Sequence, residues 1–305
     1  MANISSTSTA PTAPRRPARR KMPRWIPLLA RGLSAATPHL AAALFAHLFV
    51  RPQRRKILPQ ERALLLSAAA RPLPMASGRQ VPIYEWLPLN RDRRIRDEAP
   101  LPTVLLVHGF GGNSAQMTGF VPPLLAAGYR VVAFDAPAHG AAPGATCALP
   151  EVLEDVVGVA SRLGPLAGVV AHSAGATAVM AGLVQGIRAE RVVLLSPMSD
   201  LQSFMRRVAS QSGFSPRVVE LAQKRIEVRY DHPLAELAGV RLARQLHQPA
   251  LILQDSADKM VPLAEVEDLA KSWPEAELSL SAGLGHNRIL KDKKVIERVT
   301  EYLAS

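Results

Sequence analysis

Short apolar runs alternate with longer amphipathic stretches from about residue 70 to the end of the chain. A run of five or six residues that is rich in Val, Ile and Leu and apolar on both faces is typical of a buried parallel strand. Six such strands are predicted over 103–108, 130–135, 168–172, 191–196, 250–254 and 277–281. A hairpin is predicted over 72–76 and 80–86, and helices over 114–127, 149–163, 174–186, 264–273 and 289–303. This alternation predicts an α/β fold with a doubly wound, mostly parallel sheet.

One interval departs from the alternation. Residues 198–248 separate two predicted strands by far more chain than a single crossover needs. Apolar residues recur within it at helical spacing, which indicates two or three helices. We interpret the interval as a helical cap over the carboxyl edge of the sheet, where ligands bind in open α/β sheets.

The first third of the chain has a different pattern. Residues 1–24 are rich in Ser, Thr, Ala and Pro and then basic, which predicts a disordered tail. Residues 25–71 are interpreted as an amphipathic helical extension, and residues 72–305 as the main domain with its cap. Within the extension, a helix over 38–50 would be about 20 Å long, too short for a bilayer core. It could dock on the main domain, lie on an anionic membrane surface, or belong to a targeting signal.

Charge and cysteine content narrow the function classes. Residues 1–100 hold 18 Lys and Arg against 5 Asp and Glu, whereas residues 101–305 hold 19 against 20. The excess charge of +12 therefore lies in the front of the chain, which argues against nucleic-acid binding by the main domain. Cys147 is the single cysteine, so an intrachain disulfide and a cysteine-based metal cluster are excluded. We expect a cytoplasmic protein. The sequence does not decide whether residues 15–56 contact a membrane surface, and it does not indicate the oligomeric state.

The strongest chemical signal surrounds Ser173. The segment Gly168–Ala176 reads GVVAHSAGA, in which a strand ends, a serine follows and a small-residue helix begins. A nucleophilic serine requires a sharp strand-to-helix turn that exposes its hydroxyl next to a backbone N–H. Ala171 and Gly175 are the small residues that allow strand and helix to approach, although glycine is usual at the first position. His172 is interpreted as shaping this turn rather than as a base.

A glycine-containing turn follows the preceding strand. The run is LVHGFGG, at 106–112, and its glycines let backbone amides point into a site. The N–H groups of Phe110 and Ala174 are the candidates for an oxyanion hole. His108 is interpreted as organising the turn through hydrogen bonds.

Several segments in order resemble the α/β-hydrolase superfamily over roughly residues 72–305. They are VLLVHGFGG at 104–112, VVAFDAPAHG at 131–140, VVAHSAGA at 169–176, ALILQDSADKMVP at 250–262 and GLGHNRIL at 283–290. The resemblance implies a serine esterase-like or thioesterase-like member with a basic N-terminal extension. This chain departs from the family in the VVAFDAPAHG segment, where Ala138 occupies a position that is usually glycine.

The resemblance also implies an acid and a histidine after the serine. Asp258 stands three residues before Val261-Pro262, as the family's acid does; Asp255 and Asp200 are the alternatives. His286 follows the last strand beside Gly285 and is the implied base. Ser173, Asp258 and His286 would then act as nucleophile, acid and base in an acyl-enzyme mechanism without metal or organic cofactor.

The expected activity is hydrolysis of a small-molecule carboxylic ester or thioester. Two alternatives stay open: acyl transfer to an alcohol or amine by the same three residues, and a non-catalytic binding protein. Apolar side chains near the predicted site indicate a pocket for an apolar acyl chain. The expected lining residues are Met117, Phe120, Met198, Leu201 and Phe204.

Overall fold

The computed structural model describes residues 23, 25–88 and 100–305. Eight strands form one sheet in the order β1-β2-β4-β3-β5-β6-β7-β8. They are β1 (Ala69–Pro74), β2 (Gln80–Trp86), β3 (Thr103–Val107), β4 (Arg130–Phe134), β5 (Leu166–His172), β6 (Ala189–Leu195), β7 (Ala250–Asp255) and β8 (Ala276–Ser281). The pairings β1–β2 and β2–β4 are antiparallel and all others are parallel. The predicted fold class is confirmed, and the carboxyl ends of the parallel strands form one edge of the sheet.

Helices cover both faces of the sheet. They are α1 (Trp25–Ala36), α2 (Pro38–Phe49), α3 (Pro59–Leu66), α4 (Ser114–Met117), α5 (Val121–Ala126), α6 (Leu149–Leu163), α7 (Ala174–Val184), α8 (Leu201–Ser212), α9 (Pro216–Tyr230), α10 (Gly239–Ala243), α11 (Leu263–Ser272), α12 (Gly285–Arg288) and α13 (Lys293–Ala304). The helix predicted over 114–127 is divided by a 3₁₀ turn at Thr118–Phe120. Pro122 and Pro123 follow that turn, and they lack the N–H groups that would continue a helix from α4.

The core consists of two apolar clusters separated by the sheet. Along β3, Leu105 and Val107 belong to one cluster, which includes side chains of the cap, and we name it the cap-side cluster. Val104 and Leu106 belong to the other, named the opposite cluster, which includes side chains of α5 and α13. Successive side chains of a strand point to opposite faces, so each residue of β3 is committed to one cluster.

The predicted cap consists of α8, α9, a 3₁₀ turn at Leu234–Leu237 and α10. Asp200 caps α8 by accepting a hydrogen bond from the Ser203 N–H at 2.8 Å. Gly213 ends α8 in the left-handed conformation, with φ of 86°. Leu201 and Met205 on α8 are buried in the cap-side cluster, so the cap shares its core with the sheet.

The N-terminal helices dock on the cap. α2 packs against α9, and α1 packs against α2 and α8. The Phe45 ring lies 5.2 Å from the Phe214 ring, and the Phe49 ring lies 6.1 Å from the Phe204 ring. In the structure, the N-terminal helices therefore dock on the main domain through its cap. Among the described residues, no helix combines the length and the apolar character needed to cross a membrane.

The chain from residue 50 to residue 58, here named the strap, leads from α2 across the edge of the sheet to α3. The Val50 carbonyl accepts a hydrogen bond from the Cys147 N–H at 2.7 Å. The Arg54 guanidinium donates to the carbonyl oxygens of Ala142 and Gly144 at 3.0 Å each. These bonds fix the strap to the loop that follows β4.

Glu61 anchors the end of the strap. Its carboxylate accepts two hydrogen bonds from Arg55 at 2.6 and 2.7 Å, and one from the Leu58 N–H at 3.0 Å. The Lys291 ammonium lies 2.8 Å from the same carboxylate. Burial acts to raise the pKa of Glu61, but these partners outweigh it and hold the pKa at about 2.

We expect Glu61→Gln to lower the free energy of unfolding at pH 7 by about 3 kcal/mol. The folded-state pKa lies below the ordinary value of 4.5, so this contribution is present above that pH and disappears as the pH falls toward 2. Denaturant unfolding across this pH range measures it. Glu220→Gln is the control, because Glu220 forms an exposed ion pair with Arg217 and should change the free energy by less than about 1 kcal/mol. An equal loss in both variants, or a loss that persists unchanged at low pH, would contradict the assignment.

Candidate functional site

Ser173 occupies a strained turn between β5 and α7. Its φ and ψ are 53° and −121°, a conformation that costs on the order of 1–3 kcal/mol for a residue with a side chain. The turn also depends on two glycines. A Cβ atom on Gly175 would overlap the carbonyl oxygen of His108, and one on Gly109 would lie 2.8 Å from the Nδ1 atom of His172. The sequence thus places small residues where strand, turn and helix touch.

Ser173, His286 and Asp258 come together in one chain of hydrogen bonds. The Nε2 atom of His286 lies 3.0 Å from Oγ of Ser173, and its Nδ1 atom lies 2.8 Å from Oδ2 of Asp258. A carboxylate only accepts hydrogen bonds, so Nδ1 carries the hydrogen and Nε2 of the neutral ring is free to accept from the serine. All three predicted residues therefore meet in the geometry that proton removal from a serine requires.

The Asp258 side chain is fully buried yet charged. Its Oδ1 atom accepts hydrogen bonds from the N–H groups of Met260 at 2.7 Å and Val261 at 3.0 Å. Burial acts to raise the pKa of Asp258. The hydrogen bond from His286, the positive charge that this imidazole carries when protonated and the two N–H groups outweigh burial, so the pKa lies below its usual range. The carboxylate is thus held ionised beside the imidazole.

Asp255, an alternative acid, instead organises the loop that carries the histidine. Its carboxylate accepts hydrogen bonds from the N–H groups of Leu284 at 3.0 Å and Gly285 at 2.8 Å. The Ser281 hydroxyl at 2.8 Å and the Ala257 N–H at 2.9 Å complete its partners. Asp255 therefore acts on the imidazole through the backbone, and Asp200, the other alternative, is the N-cap of α8.

His172, the residue before Ser173, forms a hydrogen bond to the backbone of His286. Its Nε2 atom lies 2.9 Å from the carbonyl oxygen of His286, so Nε2 carries the hydrogen. Burial, with the positive charge that His286 carries when protonated, lowers the pKa of His172 to about 3. A neutral His172 can keep donating to that carbonyl while His286 itself gains and loses a proton.

Two further buried histidines shape the turn that contains Phe110. The Nε2 atom of His139 accepts a hydrogen bond from the Gly111 N–H at 2.8 Å, and that of His108 accepts one from the Ala136 N–H at 3.1 Å. Burial lowers the pKa of both, that of His139 to about 4. Both rings stay neutral and hold the glycine turn in place next to Ser173.

A cavity of about 600 Å³ opens above Ser173 and lies between the turn, the cap and the strap. Met198, Leu201 and Phe204 line it, as predicted. Met117 and Phe120 do not. Both are fully buried in the opposite cluster, across the sheet from the cavity, so the prediction for these two residues is wrong.

The N-terminal extension supplies part of the cavity wall, which the sequence did not indicate. The end of α2 and the strap contribute Leu48, Phe49, Val50, Arg51, Gln53 and Arg55. No motif marks these residues, and the one available signal was the helical spacing of apolar residues that predicted α2. The basic tail predicted over 1–24 lies, apart from Pro23, outside the described residues.

Comparison with known proteins agrees with this architecture. The chain is similar to an esterase from Pyrococcus furiosus, with a TM-score of 0.62 and 20% identity over 83% of this chain and 96% of that one. It is also similar to the naproxen esterase of Bacillus subtilis, with a TM-score of 0.57 and 15% identity over 80% and 94% of the two chains. At these identities, the likeness establishes the fold.

Sequence comparison adds a curated relative and a family. The relative is named the dihydrolipoyllysine-residue acetyltransferase component of an acetoin cleaving system in Pseudomonas putida. The two are 29% identical over an alignment of 223 residues that covers 60% of this chain and 58% of the relative, so this chain spans little more than half of that protein. The sequence profile of the alpha/beta hydrolase family matches residues 104–298, from β3 into α13. On this match and the fold, the chain belongs to the alpha/beta hydrolase family.

Proposed function

We propose that the protein is a serine hydrolase that cleaves carboxylic esters or thioesters through an acyl-enzyme on Ser173. The observation that carries this proposal is the hydrogen-bonded chain from Ser173 through His286 to Asp258, which opens into a largely apolar cavity. A serine hydroxyl that lies 3.0 Å from Nε2 of an imidazole has a general base in place for attack on an acyl carbon.

In the first half of the reaction, Oγ of Ser173 forms a bond to the acyl carbon while its proton passes to Nε2 of His286. The N–H groups of Phe110 and Ala174 are the donors proposed for the oxyanion, and both residues line the cavity. Because Ala174 is the first residue of α7, its N–H has no acceptor within that helix. The imidazolium then returns the proton to the departing alkoxide or thiolate as the carbon–oxygen or carbon–sulfur bond breaks.

In the second half, water replaces the leaving group. His286 takes a proton from the water, whose oxygen attacks the acyl carbon, and then protonates Oγ as the acyl-enzyme bond breaks. The products are the carboxylic acid and free serine. Asp258 holds the tautomer of His286 and stabilises its charged form in both halves.

Acyl transfer is the second candidate, and the name of the Pseudomonas putida relative favours it. The acyl-enzyme is the same, and an alcohol or amine then replaces water. Product analysis with and without an added alcohol separates the two, because a hydrolase releases the free acid as its main product whereas a transferase releases mainly the new ester.

We expect kcat/KM on nitrophenyl esters to rise roughly tenfold for each two-carbon extension of the acyl chain until the cavity is full. Met198, Leu201 and Phe204 offer apolar contacts that added methylenes can bury. Phe204→Trp should move the optimum to shorter chains because it narrows the cavity. Val228→Trp, on an exposed position of α9, is the control and should leave the optimum unchanged. A steady fall in kcat/KM from acetyl through butanoyl to hexanoyl would reject an extended acyl pocket.

A further inference from the structure

The two N-terminal helices each dock through one face and leave an apolar face uncovered. On α2, Ala41 and Phe45 are buried against the cap, whereas Leu40, Leu44 and Leu48 are 60%, 42% and 52% exposed. The three leucines stand four residues apart and form one stripe along the helix. An uncovered stripe of this size indicates an interaction surface rather than a scattered set of exposed side chains.

The α1 helix repeats this arrangement. Ala30 is buried, but Trp25, Leu28 and Leu29 are each at least 60% exposed. Leu28 and Leu29 stand three and four residues after Trp25, so each lies beside the tryptophan on the helix surface. We name the six exposed side chains of α1 and α2 the apolar surface.

The N-terminal segment that contains α1, α2 and the strap carries charge of one sign. Residues 1–60 contain 11 Lys and Arg and no Asp or Glu. Among the described residues of this stretch, Arg31, Arg51, Arg54 and Lys56 are exposed. A second copy of the chain would bring like charges together at this surface, whereas an anionic lipid surface supplies both the apolar phase and the opposite charge.

The apolar surface is continuous with the cavity. Leu48 is the last leucine of the stripe on α2 and also lines the cavity above Ser173. Phe110 lines the same cavity and is 44% exposed. A lipid surface in contact with α2 therefore lies next to the cavity opening, and a molecule dissolved in it could reach Ser173 past Leu48.

We propose that the apolar surface docks on an anionic lipid bilayer as a peripheral contact, so that the substrates are acyl esters that partition into that bilayer. The docking is independent of the chemistry, whereas the substrate class rests on the proposed function. An acidic protein surface is the competing partner, and it would not require lipid.

Intrinsic fluorescence of the unsubstituted protein tests the docking directly. Trp25 is 60% exposed, whereas Trp86 and Trp273 are buried, so Trp25 is the tryptophan that a lipid surface can reach. Phosphatidylcholine vesicles that contain phosphatidylglycerol should shift its emission to shorter wavelength, and vesicles of phosphatidylcholine alone should not. High salt should weaken the effect.

Cosedimentation with the same vesicles assigns the surface. We expect Leu40→Ser combined with Leu44→Ser to lower the partition coefficient at least about tenfold, with activity on soluble nitrophenyl esters retained. Leu66→Ser combined with Leu280→Ser is the matched control, since both leucines are exposed on other elements and should leave partitioning unchanged. Circular dichroism checks that both variants are folded.

Three results would overturn the docking proposal: no binding of the parent protein to anionic vesicles, equal loss in the control variant, or a dimer in sedimentation velocity that Leu40→Ser with Leu44→Ser dissociates.

Failure of the proposed function would look different, since vesicle binding would persist while soluble esters were not cleaved. Hydrolysis of a vesicle-incorporated long-chain ester should fall in the Leu40 and Leu44 variant alone. An undiminished rate on that ester would reject delivery from the bilayer.

Discussion

Replacing Ser173 with alanine is expected to lower kcat for a nitrophenyl ester on the order of 10⁶-fold while the protein stays folded. The Oγ atom of Ser173 is the atom that forms the acyl-enzyme, and alanine offers no nucleophile in its place. The unusual backbone conformation is already held by a residue with a Cβ atom, so alanine adds no backbone strain. Steady-state kinetics and the denaturant midpoint measure the two halves of this prediction.

Ser196 provides the control for this substitution. It also follows a buried strand and has a positive φ of 45°, and its hydroxyl oxygen has no hydrogen-bond partner within the described part of the chain. We expect Ser196→Ala to keep kcat within a few-fold of the parent. A fluorophosphonate probe should label the parent and Ser196→Ala and leave Ser173→Ala unlabelled. A kcat of Ser173→Ala within tenfold of that of the parent would show that Ser173 is not the nucleophile.

The central strands β3 to β7 were predictable because they are mostly apolar runs with apolar side chains on both faces. All six predicted strands from β3 to β8 end within one residue of the observed carboxyl end, and two of them, β5 and β8, end at His172 and Ser281 as predicted. The helices were harder, since the apolar spacing of 289–303 continues through a break. There, the side chain of Asp292 accepts hydrogen bonds from the N–H groups of Lys294 and Val295 and begins α13 anew.

The candidate triad was predictable for a different reason. Ser173 lies in a local strand–turn–helix pattern, whereas Asp258 and His286 were implied by the resemblance of their segments to the α/β-hydrolase superfamily. Which residues line the cavity depends on which face of the sheet each helix covers. The sequence of residues 114–127 does not indicate which face this segment covers. Met117 and Phe120 face the same side as Val104 and Leu106, which places them beyond the sheet.

The strap illustrates a further limit of pattern reading. Residues 50–58 reach the cavity through long-range hydrogen bonds, such as those from Arg54 to Ala142 and Gly144. Such contacts link positions about ninety residues apart, and nothing in the local sequence anticipates them. The alpha/beta hydrolase match begins at residue 104, so this part of the wall is outside the matched region.

Asp258→Asn is expected to lower kcat on the order of 10⁴-fold, because it imposes the wrong tautomer on His286. The N–H groups of Met260 and Val261 both donate to Oδ1 of Asp258, so the asparagine carbonyl oxygen must take that position. Its NH₂ group then faces Nδ1 of His286 and donates to it. The ring hydrogen moves to Nε2, which can no longer accept the proton of Ser173.

Asp255→Asn is the matched comparison, because it makes the same substitution three residues earlier on a carboxylate that is also buried and hydrogen-bonded. Its NH₂ group would face N–H donors of Leu284 or Gly285, so we expect a loss of about 1–3 kcal/mol in the free energy of unfolding. The tautomer of His286 is untouched, so the loss in kcat should be at least about tenfold smaller than that of Asp258→Asn. Kinetics and denaturant unfolding of both variants separate the two roles. A larger loss of kcat in Asp255→Asn, with both variants folded, would assign the acid to Asp255 and leave Asp258 as a residue that only positions the turn.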